Sequence, residues 1–278
     1  MVKKLILGTL LVVGILHAED GPKHHVHFVL KGAENAQIFL SHPRTGTNWT
    51  IAALQVLTHR KARHLQYFTN RRNAATRFNR LDLDLDSPNP PIYRTHAHLC
   101  LPRVYKRYGN MLQYINPERN QLFMIIRDPR ETIIRNFTAN KKGQFNFTHF
   151  YAAYKGAVKD YVDIIRIFDA WPEKNRYYFY YEDLMQEPKK TLASLLAFLN
   201  ESDRYLDHFI ENIQDYSQMS MKEYDSRWKK GAGSVSKGKS VRFHANSVPV
   251  TFVNKISLAV KEETEDKLFD QYLSRYWK

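Results

Sequence analysis

The chain has 278 residues, with 42 Lys and Arg against 28 Asp and Glu, a formal net charge of +14, 43% hydrophobic and 13% aromatic residues, and only 11 Gly and 11 Pro. That balance excludes collagen-like, low-complexity and intrinsically disordered chains, because enough apolar surface is present for a sizeable core. A single cysteine, Cys100, excludes an intrachain disulfide and a thiolate zinc cage.

Lys3 and Lys4 precede an unbroken apolar run from Leu5 to Leu16, which gives way to His17-Ala18 and the polar Glu19-Asp20-Gly21-Pro22. As a helix the run covers roughly 18 Å, short of the roughly 30 Å hydrocarbon layer. Residues 1–18 therefore read as a secretory signal rather than a membrane span, with an uncleaved anchor and a buried first helix as the other readings. The expected location is the secretory pathway, periplasmic or secreted, with membrane contact only if this segment stays uncleaved.

From about residue 36 short β-forming runs alternate with stretches of helical period, the pattern of an α/β fold with a central parallel sheet flanked by helices. No linker rich in Pro, Gly or Ser divides the chain, so one domain is expected over residues 30–278. Strands are predicted at Ala36–Leu40, Pro91–Arg94, Leu122–Ile126 and Tyr177–Tyr181. A helix is expected from Ile51 to Leu57. Another has Tyr151, Tyr154, Val158, Tyr161, Ile165 and Phe168 spaced by three or four and closed by Pro172, and a third runs from Pro188 to Leu199. The arginine-rich stretch holding Arg60, Arg63, Arg71, Arg72, Arg77 and Arg80, followed by Asp82, Asp84 and Asp86, reads as a solvated helix face and a loop.

Residues 38–50, IFLSHPRTGTNWT, carry the most chemistry. An apolar strand enters a helix through a tight turn, where backbone N–H groups and the positive end of the helix dipole converge on one point. An anion belongs there. Gly46 permits close backbone approach, Thr45, Thr47 and Asn48 add neutral donors, and Arg44 adds a fixed charge able to make paired contacts with phosphate oxygens. The turn is not a nucleoside triphosphate loop of the G-x-x-x-x-G-K-[ST] kind, since no Gly lies five positions before Gly46 and no Lys follows it.

Pro43-Arg44-Thr45-Gly46-Thr47-Asn48-Trp49 resembles the 5′-phosphosulfate loop of the sulfotransferase family. The resemblance continues in order along residues 36–243. LFMIIRDPRETIIRNF, residues 122–137, is similar to the family's strand that ends in an arginine, here Arg127, and leads into a helix carrying a serine; in the family that arginine and that serine bind the 3′-phosphate of the donor. The serine that the family carries eight positions on is replaced by Arg135, which can pair with phosphate but differs in charge and geometry. IYRTHAH, residues 92–98, places His96 where the family has its catalytic base, with Arg94 at the strand end. An imidazole with a pKa near 6.5 can accept a hydroxyl proton at neutral pH. His98 and a purely structural histidine are the competing readings.

Tyr181, in the Tyr-Glu-Asp-Leu unit of residues 181–184, falls where the family has a tyrosine near the adenine, and Trp49 is a second candidate to pack around the base; core packing is the alternative for both. Lys237 and Gly238 match part of the family's mobile loop over the nucleotide, with Val241 and Phe243 departing from it. The resemblance implies a P-loop-like fold, 3′-phosphoadenosine 5′-phosphosulfate as co-substrate, no metal, and transfer of a sulfuryl group to a hydroxyl or amine of a small-molecule or glycan acceptor. Nucleic acid is not an expected partner. A non-catalytic nucleotide or polyanion binder on the same scaffold, and a nucleotide-dependent kinase, are the alternative functions. His24, His25 and His27 lack an accompanying carboxylate or thiolate arrangement and are not expected to bind metal.

Overall fold

The computed structural model describes residues 36–64, 91–96, 117–137, 147–217 and 248–278. In chain order these form β1 (Gln37–Ser41), α1 (Thr47–Thr58), β2 (Ala62–His64), β3 (Ile92–Thr95), β4 (Gln121–Ile126), α2 (Pro129–Phe137) and α3 (Phe147–Asp169). There follow β5 (Arg176–Tyr180), α4 (Tyr181–Gln186), α5 (Pro188–Phe198), α6 (Leu206–Glu211), α7 (Val250–Glu263) and α8 (Asp266–Leu268). The chain ends in a π-helical turn, Phe269–Leu273, and a 3-10 turn, Ser274–Trp277.

The five strands form one sheet in the order β2-β3-β1-β4-β5, and every pairing is parallel. Parallel strands covered on both faces read as continuous apolar runs, which is why Gln37–Ser41 and Gln121–Ile126 show little alternation. Side chains that alternate along a strand supply two separate cores. Ile38, Leu40, Leu122, Met124 and Ile126 face α2, α3 and α7, where Ile133, Val162, Phe168 and Ile256 are buried. Phe39, Phe123, Ile125 and Phe179 face α1, α5 and α6, against Ile51, Leu54, Leu195 and Phe209. Phe39 and Phe123, opposite each other in register, stack with centroids 4.9 Å apart.

Strand order reverses at β1, whose sequence successors lie on both sides of it. The carboxyl ends of β3, β1 and β4 therefore open onto one crevice, the place where open α/β sheets bind ligands. At the opposite, amino-terminal edge, Gln37 donates from Nε2 to the Leu199 carbonyl (2.6 Å) and to Gln121 Oε1 (2.9 Å) and accepts from Arg60.

Three expectations change. The arginine-rich stretch does not begin as a solvated helix face: Arg60 is only 3% exposed and pairs with Glu201 at 2.6 Å, and Ala62–His64 is the edge strand β2. Helix α1 starts at Thr47, four residues before the apolar period at Ile51, so Thr47, Asn48 and Trp49 of the motif lie in its first turn and Gly46 is its N-cap. Tyr181 opens α4 instead of ending β5. The rest of the arginine-rich and acidic stretch, residues 1–35 with the expected signal, His98 and Cys100, and the loop with Lys237 and Gly238 lie outside the described residues.

Candidate active site

The turn between β1 and α1 bends through two left-handed residues, Arg44 (φ 75°) and Gly46 (φ 103°). Gly46 is the N-cap of α1, and its carbonyl accepts the Thr50 N–H at 3.1 Å. Among the described residues no side chain caps this helix start, so its first-turn amides face the carboxyl end of the sheet with the dipole behind them, an arrangement that can hold a phosphate or sulfate. The hydroxyls assigned as anion donors are used within the loop: Thr45 Oγ1 donates to the His42 carbonyl (2.7 Å) and Thr47 Oγ1 to Ser41 Oγ (2.9 Å). Asn48 Oδ1 accepts from Arg94 Nη1 at 2.8 Å. These bonds hold the shape of the turn, in which the backbone N–H groups, Arg44 and the Asn48 side-chain amide nitrogen remain as donors for an anion.

Glycine at position 46 is required twice over. Its left-handed φ disfavours a side chain, and an added Cβ would lie 2.8 Å from Cδ2 of Tyr181. The Tyr181 ring thus rests on the turn, and its other partner is Arg127, whose guanidinium carbon lies 4.0 Å from the ring centroid. Arg127 is 8% exposed and donates from Nη1 to the Arg44 carbonyl (3.1 Å), while its Nε is buried with no hydrogen-bond partner among the described residues. Burial foremost, then the nearby Arg135, lowers its pKa. A desolvated guanidinium with an unsatisfied N–H beside a second cation favours an incoming anion. Arg135 itself bonds Glu131 at 3.1 Å within α2.

His96 follows β3. Its Nδ1 lies 2.7 Å from the Ser41 carbonyl and 3.2 Å from Ser41 Oγ. A carbonyl only accepts, so Nδ1 carries the proton and Nε2 of the neutral ring carries the lone pair. Burial, together with the positive charges of Arg94 and Arg44 and against the bond to Ser41, pushes the pKa down to about 4. The neutral, proton-accepting form therefore prevails at neutral pH. His42, at the other end of the turn, is buried and neutral for the same leading reason, its pKa lowered to about 3. It donates from Nδ1 to the Pro43 carbonyl at 2.8 Å.

Arg44, Thr45, Gly46, Thr47, Asn48, His96, Arg127 and Tyr181 thus gather at the ends of three neighbouring strands and the start of α4. Trp49 points elsewhere: its ring meets Phe209 edge-on at 6.1 Å and its indole N–H donates to Ser217 at 2.8 Å. Two contributors escape sequence reasoning, Ser41, which fixes the His96 tautomer, and Tyr161, whose hydroxyl donates to the Arg127 carbonyl at 2.5 Å. Neither has a local signal, because Ser41 acts on the neighbouring strand's end and Tyr161 reaches from α3 to a residue 34 positions away. Among the described residues no group of three His, Cys, Asp or Glu side chains is placed to hold a metal ion.

A model of the sulfotransferase domain matches residues 35–266. No curated protein matches the chain significantly in sequence. Among solved structures, the mouse sulfotransferase SULT7A1 complexed with PAP has a TM-score of 0.51 at 13% identity, over 87% of this chain and 88% of that one. Retinol dehydratase with retinol and PAP has a TM-score of 0.56 at 13% identity, over 84% and 82%. The same protein with androsterone and inactive cofactor PAP gives 0.55 at 14%, over 84% and 81%. At such identities the likeness establishes a shared fold.

Proposed function

Since the chain belongs to the sulfotransferase domain family, we propose that it transfers a sulfuryl group from 3′-phosphoadenosine 5′-phosphosulfate to a hydroxyl or amine of a small-molecule or glycan acceptor. The observation that carries this reading is the convergence of an uncapped helix start, a desolvated Arg127 and a tautomer-locked His96 at one end of the sheet. The structural neighbours solved with PAP support the choice of nucleotide.

The donor supplies the sulfuryl group and departs as the 3′,5′-bisphosphate. The α1 amides and Arg44 would hold the 5′-phosphate end and stabilise the negative charge that grows on the leaving oxygen, as preorganised donors do in phosphoryl transfer. Arg127, with Arg135 in place of the family's serine, would meet the 3′-phosphate, and Tyr181 would lie beside the base. Nε2 of His96 would take the acceptor proton as the new S–O or S–N bond forms and the bond between sulfur and the 5′-phosphate oxygen breaks, the electron pair leaving with the phosphate. Secretory localisation is part of this proposal, since the apolar run at Leu5–Leu16 motivates it.

Calorimetry with PAP and with adenosine triphosphate, followed by an acceptor screen with isotopically labelled donor, tests the reading. PAP should bind more tightly than the triphosphate, and label should move to an acceptor. Tighter binding of the triphosphate would favour a kinase. PAP binding without turnover across a broad screen would favour a nucleotide binder.

A further inference from the structure

The last turn of the chain, Ser274–Trp277, lies against both turns that deliver the Arg127–Tyr181 stack. Tyr276 donates its hydroxyl to Glu182 Oε2 at 2.7 Å, and Glu182 Oε1 accepts the Asp128 N–H at 3.5 Å. The Tyr276 carbonyl accepts from Arg130 Nη2 at 2.6 Å, while Arg130 also grips the Asp128 carboxylate at 2.7–3.1 Å. Arg130 lies 5.0 Å over the Trp277 ring. On the same side Arg275 forms a two-pronged bond to Asp183, at 2.7 and 2.9 Å, and sits 4.0 Å over the Tyr180 ring.

Asp128 is the chain neighbour of Arg127, and Glu182 that of Tyr181. Backbone pairing between β4 and β5 ends at Ile126 opposite Tyr180. The stacked pair therefore sits one residue beyond the last rung of the ladder, where the sheet no longer sets the spacing. The Tyr276–Glu182–Asp128 chain crosses that gap. Its central acceptor is a carboxylate, which makes the 2.7 Å bond from Tyr276 charge-assisted and leaves the 3.5 Å contact with the Asp128 N–H the looser link, whereas the exposed Arg275–Asp183 pair contributes little. Burial, then the neighbouring Tyr161 and the carboxylate of Glu182, raise the Tyr276 pKa far above the ordinary phenol value, so the hydroxyl remains a donor at any working pH.

We infer that the C-terminal turn is a brace that sets the Arg127–Tyr181 stack and through it the affinity for the 3′-phosphate end of the donor, with Tyr276 and Glu182 as positioning residues. This inference rests on the donor reading above. Tyr276→Phe keeps the ring and removes only the hydroxyl. Glu182→Ala removes the link, and Glu182→Gln retains an acceptor for the Asp128 N–H and a donor toward the Tyr276 hydroxyl.

Calorimetry with PAP should give an affinity about three- to tenfold weaker in Tyr276→Phe and Glu182→Ala, with most of it recovered in Glu182→Gln. Adenosine 5′-phosphate, which lacks the 3′-phosphate, should lose less. In turnover the KM for donor should rise by the same factor, with kcat and the acceptor KM within about twofold of wild type. Wild-type PAP affinity in Tyr276→Phe, even with a lowered melting temperature, would reduce the turn to a structural contact and overturn the brace alone. Failure of the wild-type protein to bind PAP would overturn the donor reading and the brace together.

Discussion

The Nδ1 proton of His96 is held by the backbone carbonyl of Ser41, 2.7 Å away on the adjacent strand. That bond fixes which ring nitrogen can accept a proton, and it ties the base to the strand from which the anion-binding turn departs. A base so placed should account for about 10²–10⁴-fold of the rate, the loss expected in kcat for His96→Ala. The protonated ring is inactive and its pKa is depressed to about 4. The kcat/KM for acceptor of the wild type, measured at sub-saturating acceptor, should therefore show no fall near pH 6.5 and hold steady from neutral pH down toward about 5, above the depressed pKa. A fall centred near 6.5 would mean that the ring is more exposed to water than its surroundings imply.

Gly46 carries two independent demands, backbone and steric, and they can be separated. Gly46→Ala places a Cβ at φ 103° and 2.8 Å from the Tyr181 ring, which should cost about 1–3 kcal/mol of stability and weaken PAP binding. Adding Tyr181→Ala removes the clash but not the strained φ. The double variant should thus be less destabilised than the sum of the two single changes, a coupling read from urea melts of all four proteins.

Arg135 tests how the departure from the family pattern changes donor recognition. Its charge already acts on Arg127, so an incoming phosphate would relieve repulsion between two guanidinium groups. Arg135→Ser restores the family's residue. It should weaken PAP about tenfold relative to adenosine 5′-phosphate and flatten the salt dependence of PAP affinity. An unchanged PAP preference would assign Arg135 to its pair with Glu131 alone.

Most of the fold was legible because the buried strands are dense in β-formers and the crossover helices keep their period, as at Leu122–Ile126 and Tyr151–Phe168. The β1–α1 turn was legible because Arg, Thr, Gly, Thr and Asn within five positions have few other uses. The sequence reading missed β2, three residues long and embedded in arginines, since Arg60 looks solvated until Glu201 and Gln37 are brought to it from 141 and 23 positions away. The same limit hid Ser41 and Tyr276: their work is done through contacts whose partners lie 55 and 94 residues distant. For Trp49 the sequence leaves base contact and core packing open; the helix turns successive residues by about 100°, and this one packs against Phe209.

Arg60 should matter for stability and not for chemistry. Its guanidinium is buried at the amino-terminal edge of the sheet, bonded to Gln37 and Glu201, far along the strands from the crevice. Arg60→Ala leaves the Glu201 carboxylate and the Gln37 carbonyl group without that donor, a change expected to cost about 3 kcal/mol. Arg60→Met, which refills the volume without charge, should cost the same order because the carboxylate still loses its partner. Adding Glu201→Gln to Arg60→Met should recover part of it. The measurement is chemical denaturation, with KM for donor and acceptor unchanged in every variant.

Two histidines kept neutral by burial make stability depend on pH even without ligand. His42 titrates at about 3 and His96 at about 4 in the folded chain, against roughly 6.5 when unfolded. Between those values the unfolded chain binds protons that the folded chain refuses, so stability is complete above about pH 6.5 and declines as pH falls toward 4 and then 3. Each histidine contributes a slope of about 1.4 kcal/mol per pH unit in that window. His42→Asn offers an amide N–H in place of Nδ1 for the Pro43 carbonyl but has no proton to gain. Its unfolding free energy, followed by urea titration from pH 7.5 to 5, should therefore fall less steeply than that of the wild type by one proton's worth of slope. Equal slopes would mean that His42 gains its proton equally in both states, and that the turn holding Arg44 is open to water.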